Sequence, residues 1–283
     1  MDTEYALNSI RAIRRVDLAS IGRANKSAFW CEWNHRYEQS RSFHAMLEGY
    51  HSHYKWSKLI RPGDTCIDIG AHSGDTTIPM GIFSSFGETR GLVLAIEPNP
   101  DVSEALQITL ALNPDQARYV HLPVAVTRFD QDEVQIADHG SDQCNGGIID
   151  GSYSAELLAN LNGRTNRILR VPGRSLDSIA LKDMTPPELD RLTFVKTDCE
   201  GYDKEILRGA SSLLNEYKPF IFSEWYDYFT ESDSQDLFDA VADIGYVALH
   251  PYSWEPIGPK EKTSDLLLVH RSRMSRLAWY ANS

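Results

Sequence analysis

Hydrophobic and polar positions change rhythm near residue 62. Before it the chain is rich in aromatics: Phe29, Trp30, Trp33, Tyr37, Phe43, Tyr50, Tyr54 and Trp56, with His35, His44, His51 and His53 among them. Their spacing is closer to a helical period than to alternation, and glycine is scarce. Residues 1–62 therefore read as an N-terminal helical cap or interface segment. From Arg61-Pro62-Gly63-Asp64 onward the pattern becomes strand, loop, helix, repeated to the end of the chain.

Thr65-Cys66-Ile67-Asp68-Ile69 is short and mostly apolar without clean alternation, as in a strand buried on both faces of a parallel sheet. A glycine-bearing turn and a helix to about Phe83 follow. Pro79 lacks an N–H and is tolerated only in a first helical turn, so that helix starts near Asp75 or Thr76. Leu92 to Glu97 is the second strand, and Asn99-Pro100 reads as an N-cap with proline at the first helical position. A third strand runs from about Tyr119 to Val126. The polar stretch from Thr127 to Pro172 predicts a hairpin and a loop around Asp142–Gly151. Further strands follow at Phe194–Asp198, Phe220–Glu224, Tyr246–His250 and Leu266–His270. Helices are expected over Asp203–Leu214 and around Leu237–Ala242, the latter stopped by Gly245. Seven strand candidates with interleaved helices predict one doubly wound α/β domain over residues 63–283.

Composition narrows the function classes. With 283 residues and ordinary apolar (42%) and charged (24%) fractions, the chain can bury a large core without staples. Its net charge of −12 repels phosphate backbones, which argues against nucleic-acid or anionic-membrane partners. No run of about 18 apolar residues marks a membrane span, and no signal peptide is visible. None of the 4 cysteines sits in a C-x-x-C pair, and Cys66 and Cys199 lie in apolar runs where a thiol behaves as a small hydrophobe. A reduced, cytoplasmic setting is the expectation.

Chemistry concentrates at strand ends. Asp68-Ile69-Gly70-Ala71-His72-Ser73-Gly74-Asp75 joins a buried strand to a helix, at the carboxyl end where α/β sheets bind ligands. Gly70 and Gly74 free the backbone for unusual torsions and for close approach. The G-x-x-x-G spacing is neither the G-x-G-x-x-G of dinucleotide sites nor a P-loop, which weakens an oxidoreductase reading. Glu97, followed by Pro98 and Asn99, ends the next strand, where a carboxylate can accept from ribose hydroxyls. Later comes Lys196-Thr197-Asp198-Cys199-Glu200-Gly201.

These motifs, in this order, resemble the FkbM-type S-adenosylmethionine-dependent methyltransferases. The family's D-x-G-A-x-x-G loop matches Asp68 to Gly74, its E-P stretch Glu97-Pro98, and its K-x-D-x-E-G stretch Lys196 to Gly201. The flanking L-D and L-x-G-A elements match Leu176-Asp177 and Leu207 to Ala210. The resemblance covers roughly Gly63 to His270. It implies a class I methyltransferase fold with a mostly parallel seven-stranded sheet and S-adenosylmethionine as cofactor. Asp68, Gly70, Ala71, His72, Ser73, Gly74, Asp75, Glu97, Pro98 and Asn99 would form its site. It implies methyl transfer, usually to a hydroxyl of a sugar or of a secondary metabolite such as an antibiotic.

Methylating a hydroxyl requires removal of its proton by a positioned base. Asp198, Lys196, Glu200 and Glu224, near strand ends, are the candidates. Lys196 and Asp198 share a strand face and read either as catalytic or as a structural ion pair. Asp198, Glu200 and Glu224 are oxygen donors of the kind Mg²⁺ takes, but no dedicated metal motif is present and a metal is not favoured. His250 reads as a strand terminator. Trp225, Tyr226, Tyr228, Phe229, Tyr252 and Trp254 read as an acceptor rim, as packing, or as an oligomer interface. The expected partner is a small hydroxyl acceptor, and the aromatic N-terminal layer offers a surface for self-association. N-methylation on the same fold, a non-catalytic nucleoside-binding protein and a nicotinamide enzyme are the alternatives.

Overall fold

The computed structural model describes residues 10–23, 25–33, 42–138, 147–149, 159, 167–226, 228–261, 263–275 and 277. Cys144, His35, Tyr37 and most of the loop expected around Asp142–Gly151 lie outside them. Among the described residues no helix is long and apolar enough to cross a membrane.

The central element is a seven-stranded sheet. In chain order its strands are β3 (Thr65–Ile69), β4 (Leu92–Ile96), β5 (Arg118–Leu122), β9 (Leu192–Thr197), β10 (Phe220–Glu224), β11 (Tyr246–Leu249) and β12 (Asp265–His270). Their spatial order is β11-β12-β10-β9-β3-β4-β5. The last strand therefore inserts beside β10, antiparallel to it and to β11, rather than closing an edge. Chain contacts divide the molecule into two compact units, one reaching to Pro123 and one built mainly from Val124 onward.

In the first unit β3, β4 and β5 run parallel, with Thr65 opposite Leu92 and Leu92 opposite Arg118. Every residue of β3 and β4 is buried, as their mostly apolar runs lead one to expect. Helix α3 (Thr77–Phe83) follows β3, with Pro79 in its first turn, where no N–H is needed. Helix α4 (Pro100–Ala111) follows β4. Asn99 caps it by accepting from Asp101 N, and proline opens it.

The N-terminal segment corrects the helical expectation. It opens with an antiparallel ribbon, β1 (Ile10–Asp17) and β2 (Ser27–Trp33), before the short helices α1 (Phe43–Glu48) and α2 (Trp56–Leu59). Strand β2 packs on α4, with Cys31 against Val102 and Ala105. Side chains of α4 and the turn after it hold the strand's backbone, since Thr109 Oγ1 accepts from Cys31 N and Asn113 Oδ1 from Phe29 N. That long-range pairing outweighs the local period.

In the second unit β9 and β10 are parallel. A small sheet stands apart from them, ordered β6 (Ala125–Val126), β8 (Arg167–Arg174) and β7 (Gln131–Asp138). Its β7–β8 pair is the hairpin expected in the polar stretch. The single helix expected over Asp203–Leu214 is instead two, α7 (Asp203–Gly209) and α8 (Ser211–Tyr217). A Cβ on Gly209 would lie 2.5 Å from Arg128 O, so glycine lets the chain at Arg128 pass close to the end of α7. Helices α5 (Leu176–Asp183), α6 (Pro186–Leu189) and α9 (Glu231–Asp243) complete the described set.

Candidate functional site

The chemistry-bearing residues form two groups, one in each unit. In the first unit β3 delivers Asp68 to the glycine loop. Its side chain is fully buried, and Oδ2 accepts from the hydroxyls of Thr76, at 2.8 Å, and Thr77. One carboxylate oxygen thus fastens the start of α3 to the end of β3. The loop is also tied to β4, because Gly70 N and Ala71 N both donate to Ile96 O at 3.0 and 3.1 Å. Gly70 (φ 73) and His72 (φ 45) adopt left-handed torsions, the first at no steric cost and the second held by its surroundings.

Glu97 supplies that hold. It is 7% exposed; Oε2 accepts from His72 N at 3.0 Å and Oε1 from Asn99 N at 2.8 Å. Ser103 Oγ donates to the Glu97 carbonyl at 2.8 Å. A carboxylate offers about four acceptor positions, and the two backbone bonds use one on each oxygen. Such a group can also take a diol, which is what a ribose presents.

The other expected cofactor residues separate by burial. Gly70, His72, Asp75, Pro98 and Asn99 are partly exposed, whereas Ala71 and Ser73 are buried. The Ser73 hydroxyl is paired with His72 Nδ1 at 3.2 Å. Gly74 answers to protein packing, since a Cβ there would meet Thr109 Cγ2 at 3.0 Å and Leu106 Cδ1 at 3.3 Å.

In the second unit β9 and the turn after it carry the acidic group. Lys196 is buried, and its Nζ lies 3.1 Å from Oδ2 of the half-exposed Asp198, the ion pair that the shared strand face predicts. Glu200 N donates to Glu224 Oε2 at 2.9 Å, linking the turn after β9 to the end of β10. One oxygen from each of Asp198, Glu200 and Glu224 lies within 4.8 Å of the others, a spacing that a single hard cation or a shared proton would satisfy. Glu200 (φ 55) and Gly201 (φ 92) both take left-handed torsions. A Cβ on Gly201 would press to 2.8 Å from Phe229 Cε1 and 3.0 Å from Tyr226 Cδ1, so glycine lets these rings close on the turn.

Burial pushes the Glu224 carboxyl well above the usual carboxylate range, and the charges of Asp198, Glu200, Asp203 and Asp265 push it further. Asp203 is a member that sequence reasoning missed. It is fully buried, and its Oδ2 accepts from Cys199 N at 3.4 Å. Burial raises it to about 6, with the Thr197 hydroxyl pulling the other way and Asp198 adding to the rise. As the first residue of α7 it reads in the sequence as an ordinary helix start, so nothing local marks it.

The aromatics sort by burial. Trp225, Tyr226, Phe229 and Trp254 are buried, Trp225 donating from Nε1 to Ser234 Oγ at 3.1 Å. Tyr228 and Tyr252 are exposed. His250 Nδ1 accepts from Tyr252 N at 3.3 Å, which fits the strand-terminating role.

A model described as the methyltransferase FkbM domain matches residues 68–248. Among solved structures the chain is similar to a methyltransferase FkbM from Methylobacillus flagellatus KT, 19% identical with a TM-score of 0.46, over 80% of this chain and 51% of that one. It is also similar to a 16S rRNA N2 G1207 methyltransferase of T. thermophilus in complex with AdoMet and guanosine, 11% identical with a TM-score of 0.42, over 93% and 51%. A candidate O-methyltransferase from Klebsiella pneumoniae is 10% identical with a TM-score of 0.40, over 81% and 80%. The chain spans about half the length of the first two (51% of each). No curated protein matches it.

Proposed function

Because the chain belongs to the methyltransferase FkbM family, we propose that it is an S-adenosylmethionine-dependent O-methyltransferase acting on a hydroxyl of a small molecule. A sugar, a glycoside or a polyketide-type natural product is the acceptor class. When bound, the cofactor supplies a methyl group already activated on a sulfonium. What remains for the chain is to hold it, align an oxygen, exclude water and take up one proton.

Residues of the first unit do the holding. Glu97 offers its carboxylate to the ribose hydroxyls, and the backbone of the Gly70–Asp75 loop lines the cofactor. Residues of the second unit handle the proton. Asp198, beside the Lys196 ammonium, takes the hydroxyl proton as the carbon–oxygen bond forms. Glu224 keeps its own proton to a higher pH than an ordinary carboxyl and so limits repulsion within the group. The observation that carries the choice of oxygen is the convergence of Asp198, Glu200 and Glu224, with Lys196 paired to Asp198, which suits an acceptor that must lose a proton. The net charge of −12 disfavours a polyanionic acceptor.

Isothermal titration with S-adenosylhomocysteine tests the cofactor half of the reading. Saturable binding is expected, and its absence rejects the reading. Labelled methyl transfer into a panel of glycosides and matched amines tests the acceptor half. Label entering amines alone would move the assignment to nitrogen.

A further inference from the structure

We infer that Trp30, on the N-terminal ribbon and outside the family match, is a positioning residue for the glycine loop, and that the ribbon is a strap that keeps the loop in its cofactor-binding shape. The inference rests on the reading of that loop as the cofactor site. Two holds on the loop come from the end of β4. Ile96 O takes the N–H groups of Gly70 and Ala71, and the Glu97 carboxylate takes that of His72. Another hold is the Trp30 indole, whose Nε1 donates to Gly74 O at 3.1 Å across 44 residues of chain.

Trp30 is itself immobilised. It is fully buried and stacks on Phe43, with ring centroids 5.1 Å apart and planes at 9°. Its strand is sewn to α4 and the turn after it. Thr109 Oγ1 accepts from Cys31 N at 3.1 Å, Asn113 Oδ1 from Phe29 N at 2.9 Å, and Gln116 Nε2 donates to Ser27 O at 2.9 Å. These side chains recur at helical spacing and occupy the edge of β2 that does not face β1. The same helix touches Gly74 through Thr109 and Leu106 and holds Glu97 through Ser103. Ribbon, helix and loop are therefore one mechanical unit, with the indole N–H as its link to the loop.

Gly74 O also accepts from Ile78 N at 3.0 Å inside the first turn of α3. Removing the indole donor thus leaves that carbonyl satisfied, and the change reports on the strap rather than on an orphaned group. Trp30→Phe keeps a ring to stack on Phe43 and deletes the donor. In the absence of cofactor, amide exchange at residues 70–77 of this variant should quicken about fivefold, the weight of one neutral hydrogen bond, while exchange in α4 stays unchanged. S-adenosylhomocysteine should bind about fivefold more weakly by titration, for the same reason. Phe43→Leu is the control, because it disturbs the packing around Trp30 and leaves the donor in place.

Unchanged loop exchange in Trp30→Phe overturns the inference. So does equal loosening in both variants, which would make the effect one of packing. If the unaltered protein binds no S-adenosylhomocysteine, the cofactor reading fails and this use of the strap fails with it. The exchange measurement still reports separately whether the indole holds the loop.

Discussion

The site carboxylates of the two units are surrounded differently. Asp68 and Glu97 meet donors: two threonine hydroxyls on one, the N–H groups of His72 and Asn99 on the other. Asp198, Glu200 and Glu224 instead bring one oxygen each to within 4.8 Å of the others, with Lys196 paired to Asp198, and burial together with neighbouring carboxylates raises Glu224 and Asp203. A carboxylate surrounded by donors is pinned as a fixed acceptor, suited to building a loop or receiving a diol. Carboxylates that face each other cannot all ionise cheaply, and so they become a place where a proton is exchanged. The residue type is shared, and the neighbours decide the chemistry.

The largest effect should come from removing the proton acceptor from the second group. Asp198→Asn keeps the side chain's size and loses its basicity. Turnover should fall by ~10²–10⁴, with S-adenosylhomocysteine affinity unchanged, because the proposed function assigns the cofactor contacts to the other group. A steady-state assay paired with titration separates the two. Full turnover in the Asn variant would show that Asp198 handles no proton, and the contrast between the units would lose its chemical half.

A stability measurement sharpens the same contrast. Burial raises Asp203 from 3.8 to about 6. Below the ordinary value both the folded and unfolded chains carry its proton, and there is no penalty. Between about 4 and about 6 the unfolded chain loses the proton while the folded one keeps it. The folded state then binds more protons, so this residue's contribution to stability is present in acid and lost as pH rises through that window. A carboxyl raised that far costs the folded state about 3 kcal/mol once it must ionise. Asp203→Asn cannot titrate, and its Oδ1 can still accept from Cys199 N. Urea unfolding at a series of pH values should show the variant gaining on the unaltered protein as pH rises from 4 to 7, by up to about 3 kcal/mol. A gap between them that stays constant with pH would mean that burial does not penalise the Asp203 charge.

How much of this is visible in the sequence depends on how local each cause is. The limits of β3 and the Asn99-Pro100 cap of α4 are legible, because an apolar run and a capping pair are contiguous in the chain. The Lys196–Asp198 ion pair is legible too, since residues two apart on a strand share a face. The N-terminal ribbon is not. Its strand edge is completed by Thr109, Asn113 and Gln116, more than 70 residues away. The need for glycine at Gly209, at the end of α7, comes from the backbone of Arg128, equally remote. Gly74 takes the unusual torsion expected of it (φ 99), but the packing of α4 against it is not legible in the sequence. Asp203 escapes notice because burial, which gives it its character, leaves no mark on neighbouring residues.

The smallest expected effect tests the donor-rich side of the contrast. Glu97→Gln preserves shape and one acceptor oxygen but turns the other position into an NH₂ group. Glu97 uses both oxygens, one for His72 N and one for Asn99 N. Whichever way the amide turns, one backbone donor meets another donor, and either the glycine loop or the cap of α4 loses its hold. The carboxylate's charge, which strengthens any hydrogen bond from a ribose hydroxyl, is lost as well. S-adenosylhomocysteine affinity should fall about tenfold, equivalent to about 1.4 kcal/mol, while turnover at saturating cofactor changes less than in Asp198→Asn. Asp68→Asn provides the matched comparison. Both of its hydroxyl donors reach a single oxygen, Oδ2, so one amide orientation keeps them and the loss of affinity should be smaller than at Glu97. An equal or larger loss at Asp68 would show that charge, rather than the number of oxygens engaged, fixes the loop, and the first unit would then need the same electrostatic account as the second.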